Sequence, residues 1–152
     1  WRVKRRSGRA FRFVELANDV NDHMPDHVAA RVTALLNREG RAVNGTRILL
    51  LGLTYKAGTS DFRESPSIVV AERLAALGAD LVACDPHVPA APRPHLPCPL
   101  VEFDDDALRS ADLVITLVDH AEFEPARIAS TARLVFDAKA MLRGHEFRGE
   151  TL

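Results

Sequence analysis

Apolar residues recur every three or four positions near the start of the chain: Phe13, Leu16, Val20, Met24, Val28, Val32 and Leu35. That spacing is the stripe of an amphipathic helix. Pro25 falls inside it and has no N–H to donate, which predicts either a kink or two helices with Pro25 in the first turn of the second. Glu39-Gly40 closes the helix, and Asn44-Gly45 turns the chain. The pattern then changes. Residues 47–53 form a continuous apolar run of strand length, as expected for a strand covered on both faces of a parallel sheet. Ser65-Pro66 opens a second helix with Ile68, Val69, Ala71, Leu74 and Leu77 inward, stopped by Gly78. Further strands are predicted at 79–84, 112–117 and 133–136, with short helices at 103–111 and 123–130. The order of strand, loop and helix repeats. It predicts an α/β fold, a Rossmann-like open parallel sheet with flanking helices, preceded by a helical arm. Residues 1–40 are assigned to the arm and 41–152 to the sheet domain.

Composition narrows the function classes. A net charge of -1 argues against nucleic acid as a partner, since phosphate neutralisation needs a basic face. The one basic cluster, Arg2 to Arg12, reads as a solvated tail or as a segment facing phosphate. No run reaches the roughly 18 apolar residues that span a bilayer, and no signal peptide opens the chain. Two cysteines, Cys84 and Cys98, are too few for a disulfide framework and lack metal-ligand spacing, so both are expected to be structural. A cytoplasmic location is expected. The chain opens on Trp1 rather than Met, which predicts a piece of a longer protein.

Ligands of open α/β sheets bind beyond the carboxyl ends of the strands. That rule selects residues 54–64, 85–89, 118–123 and 137–142. The first is the most charged, with Tyr55, Lys56, Asp61, Arg63, Glu64 and Ser65 in eleven positions. Such a loop is either solvated or a ligand site, with Lys56 close to the sheet edge and Arg63 suited to gripping phosphate. Gly52 and Gly58 permit close backbone approach. No G-x-G-x-x-G run occurs, so the dinucleotide fingerprint is missing from a fold of the dinucleotide-binding type. Asp119 and His120 are read as a loop hydrogen-bonding unit rather than acid–base catalysts, and Asp85-Pro86-His87 as a turn. His87 and His95 lie eight apart without a further ligand, so no metal site is predicted. Between Asp85 and Pro99 stand six of the nine prolines, which predicts an extended surface loop.

Four segments together carry a family likeness. Residues 52–67, GLTYKAGTSDFRESPS, resemble the G-L-[AT]-[YF]-K-x3–4-D-D-x-R-E-S-P signature of the UDP-glucose/GDP-mannose dehydrogenase family. Residues 77–89, 12–28 and 111–123 are similar to that family's G-A-x-V-x-x-Y-D-P-x-V-P stretch, its helix linking two domains, and its A-D-x-V-[IV] strand. The resemblance implies oxidation of a sugar C6 alcohol to a carboxylate with two NAD in succession. It implies that this chain is the C-terminal UDP-sugar-binding domain, with the catalytic cysteine and most NAD contacts in an N-terminal domain that precedes it. The fragment is then inactive alone, with no catalytic residue of its own. By position, Tyr55 and Lys56 contact UDP-sugar and Arg63 reaches NAD. Lys139 also touches substrate, standing where the family has Arg, with Ala140 in place of Asn. The arm is expected to pair two copies as a homodimer. The branch acting on UDP-N-acetylglucosamine or UDP-N-acetylmannosamine looks nearest. The alternative is a stand-alone nucleotide-sugar-binding or dimerisation module without catalysis.

Overall fold

A computed structural model describes residues 12–88 and 96–152. Trp1 with the basic cluster up to Phe11, His95 and the middle of the proline-rich loop lie outside the described residues. Helix α1 runs Arg12–Arg38 without interruption, Pro25 included. Pro25 supplies no N–H to that ladder, yet its ring is buried, and the chain forms one helix rather than two. Among the described side chains, it is the second half of the stripe that is used internally. Val28, Val32, Leu35 and Leu36 are buried, whereas Leu16 and Val20 are 60% and 53% exposed. None of the described helices is long and apolar enough to cross a membrane.

Strand β1 (Arg47–Leu51) leads through a loop to α2 (Pro66–Ala76), then β2 (Asp80–Cys84). Helix α3 (Asp105–Ser110), β3 (Leu113–Thr116), α4 (Pro125–Thr131), β4 (Val135–Asp137) and β5 (Gly149–Thr151) follow. The five strands form one sheet in the order β2-β1-β3-β4-β5, every pair parallel. The predicted architecture is therefore present. Ser65 caps α2, its side chain accepting from Ser67 N–H, with Pro66 at the first helical position. Asp104 caps α3 through Ala107 N–H in the same manner.

Both faces of β1 are covered, as its unbroken apolar run predicts. Ile48 and Leu50 pack with α1 and with Val70, Ala71 and Leu74 of α2. Leu49 and Leu51 face the other way, toward Leu108 of α3 and Ile128 of α4. Fully burying each such side chain contributes roughly 1.5–3 kcal/mol. Strand β5 is absent from the sequence expectation. Its three residues are exposed or half-buried and carry no apolar run. It is held instead by the ladder to β4 and by ion pairs of Glu150 with Arg31 and Arg38 of α1.

Candidate functional site

The loops beyond β1, β2 and β3 are tied together by one carboxylate. Asp85, directly after β2, accepts from Leu53 N–H at 2.7 Å, Thr54 N–H at 2.9 Å and His87 N–H at 2.9 Å. Burial alone would raise its carboxyl group. Those three amides, with His120 beside it, outweigh the burial and hold it below its ordinary value of 3.8. His120 comes from beyond β3, and neither its side chain nor that of Asp85 has any exposed surface. Gly58 N–H donates to His120 Nδ1 at 3.3 Å, so this nitrogen carries the lone pair. Nε2 then bears the proton, facing Asp85 Oδ2 at 3.2 Å and Thr54 Oγ1 at 3.0 Å. The loop also closes on itself, with Tyr55 N–H donating to the Asp61 carbonyl at 2.7 Å. Gly52, at φ 91°, lies so near the loop after β3 that a Cβ there would meet Val118 Cβ at 2.4 Å. Glycine is needed at this point both for its angle and for its size.

A second buried carboxylate shapes the loop after β4. Asp137 accepts from Thr116 Oγ1 at 2.6 Å and from Leu142 N–H at 2.8 Å. It also takes the N–H groups of Lys139 and Met141, each at 3.2 Å. The backbone of residues 138–142 is thereby wrapped around one side chain, and Ala140 is driven to φ 55°.

Between these loops and α1 opens a cleft of about 380 Å³. Tyr55 and Lys139 both line it, with Met24, Pro25 and Val28 of α1 and the C-terminal Leu152 among the other walls. Two of the four residues singled out by sequence are thus brought together. Lys56 is exposed beside Tyr55 and is not among the residues lining the cleft. Arg63 is outside the lining as well. Its guanidinium grips Asp61 through Nε at 3.0 Å and a terminal nitrogen at 3.1 Å. Asp61 is held below its usual range by that bond. Cys84 and Cys98 are buried, which pushes their thiols up to about 12 and about 11.

Sequence spacing missed two groupings. One is the α1 wall of the cleft, where the sequence reads Met24 as part of the helical stripe and Pro25 as its interruption, neither as a wall of the site. The other is a cluster of His87, His120 and Glu122, whose ligand atoms lie within 4.8 Å of one another. Both nitrogens of His120 are engaged by the protein, and His87 Nε2 pairs with Glu122 at 3.1 Å. The ligand atoms are therefore spent on one another and on the loop.

Comparison with known proteins adds identity to this geometry. Residues 49–144 match the model of the UDP-glucose/GDP-mannose dehydrogenase family, UDP binding domain. Over 73% of the chain and 27% of the relative, the sequence is 38% identical to a UDP-glucose 6-dehydrogenase of Bacillus subtilis. It is 29% identical to the UDP-N-acetyl-D-mannosamine dehydrogenase of Escherichia coli over 94% of the chain and 36% of that protein. The chain thus spans roughly a third of the length of these relatives. Among solved structures, the UDP-D-ManNAc dehydrogenase of Pyrococcus horikoshii superposes with a TM-score of 0.70 at 22% identity, covering 96% of this chain and 35% of that one. The likeness in fold holds across the helical arm as well as the sheet.

Proposed function

The chain belongs to the UDP-glucose/GDP-mannose dehydrogenase family, and from that premise we propose that it holds the UDP side of a UDP-sugar while the sugar C6 alcohol is oxidised to a carboxylate. One observation supports this reading above the others. The cleft at the carboxyl edge of the sheet gathers Tyr55 and Lys139, and both lie in the segment that matches the UDP binding domain. Tyr55 offers an exposed aromatic face to the nucleotide sugar. Lys139 brings a cation to the diphosphate, and Lys56, next to Tyr55 in the chain, adds a second.

The oxidation takes two NAD in succession, and NAD supplies the chemistry of hydride acceptance. The end of β1, where a Rossmann domain would seat a pyrophosphate, does not fit that group. The amides of Leu53 and Thr54 already bond the Asp85 carboxylate, and the Ser65 hydroxyl already caps the Ser67 N–H at the start of α2. We therefore assign NAD and the catalytic cysteine to a separate N-terminal domain, with Arg63 reaching the cofactor from this one. In this reading the chain is inactive by itself and works in the cytoplasm. Exposed Leu16 and Val20 on α1 favour pairing with a second copy. A stand-alone binding module is less favoured, because the relatives over this segment are named as dehydrogenases.

Titration of UDP into the wild-type chain and into Lys139→Ala tests the site. One charge-assisted contact is worth about 1.5 kcal/mol, so the variant should bind UDP about tenfold more weakly with its melting temperature little changed. Equal affinity in the two proteins would remove Lys139 from the site.

A further inference from the structure

We propose that Asp85 and His120 are the positioning pair for the Tyr55–Lys56 loop, and that they act with the His120 proton on Nε2. The inference rests on the reading that this loop meets a nucleotide sugar. Tyr55 and Lys56 themselves are exposed, so their own side chains do not fix where they stand. The backbone is fixed on either side of them. Before them, the N–H groups of Leu53 and Thr54 end on Asp85, and the Thr54 hydroxyl faces His120 Nε2. After them, Gly58 N–H ends on His120 Nδ1. Three amides of one loop are thus satisfied by two side chains from beyond two other strands.

The pair holds together as a unit. Asp85 Oδ2 faces Nε2, which orients the ring and leaves Nδ1 free to accept. The aromatic neighbours of the ring are His87, with ring centroids 4.7 Å apart, and Phe123 at 5.5 Å, and a Glu122 carboxylate oxygen lies within 4.8 Å of a ring nitrogen. Glu122 is turned to His87, and Asp119, the adjacent acid in the chain, is exposed. A proton on Nδ1 would set two donors against each other at Gly58 and release that side of the loop. Neither Asp85 nor His120 lines the cleft with Tyr55 and Lys139. Their effect on binding is therefore exerted through the loop, as positioning residues.

Three measurements on the same chain test this. Imidazole nitrogen shifts at neutral pH should show His120 bare at Nδ1 and protonated at Nε2. Amide exchange without ligand should show Gly58 protected in the wild type and exchanging at least about tenfold faster in His120→Phe, while the β3 amides stay protected. His120→Gln, which keeps one donor and one acceptor, should recover most of that protection. UDP affinity should fall about tenfold in His120→Phe and return to within about threefold in His120→Gln. Should the Phe variant not fold, the tautomer and the Gln variant decide. An Nδ1–H tautomer overturns the proposal, and so does UDP affinity in a folded His120→Phe or His120→Ala equal to wild type. If the wild type binds no UDP, the nucleotide-sugar reading fails, while tautomer and exchange still judge the anchor.

Discussion

Ala140 has a backbone angle that its side chain does not favour. At φ 55° it lies in the left-handed region, where an L-residue with a Cβ is disfavoured by roughly 1–2 kcal/mol. The angle follows from the N–H groups of Lys139, Met141 and Leu142 all converging on Asp137. The family pattern places Asn here, a residue that tolerates this region far better than most. The departure noticed in the sequence thus has a backbone meaning as well as a chemical one. Ala140→Gly should raise stability by about 1 kcal/mol, read as a higher denaturant midpoint at unchanged slope. A lower midpoint would show that the turn is not strained. Lys139, one residue earlier, presents its charge from this same turn, so the strain and the proposed substrate contact share one small structure.

The ends of β1, β2 and β3 are coupled through Asp85, and its titration reports on that coupling. Its folded pKa lies below the ordinary 3.8, so the stabilisation is complete above that value and is lost as pH falls through the folded one. Asp85→Asn should cost about 2–3 kcal/mol at neutral pH. The gap to wild type should narrow as pH drops below 3.8 in pH-dependent urea melts. A gap of unchanged size at about pH 2.5 would contradict the coupling. Most elements were legible because hydrophobic period, caps and glycine stops agreed with one another. Ser65-Pro66 opened α2, and the run at 47–53 became a strand buried on both faces. Three features were not legible. Pro25 remained inside a single helix because its ring is buried on the tertiary structure, which a local rule does not see. Strand β5 carries no apolar pattern, being held by a ladder and by ion pairs to residues 31 and 38. The Asp85–His120 contact joins positions 35 apart, and no local spacing announces it.

On the scale of the whole molecule, the parallel sheet delivers every strand's carboxyl end to one edge, and the loops there build the cleft. The signature loop and the turn at Lys139 were both legible as parts of that edge. Their meeting in a cleft walled by α1 became visible only once the helix was seen packed across the sheet. At the end of β1 the amides of Leu53 and Thr54 are already engaged by the Asp85 carboxylate. In the proposed reading the nucleotide sugar is held in the cleft by Tyr55 and the lysines rather than by the β1 amides, which are spent on Asp85. Calorimetric titration of the chain with UDP and, separately, with NAD tests this division most directly. The account predicts measurable heat and saturable binding for UDP and barely any for NAD. NAD binding more tightly than UDP would contradict it.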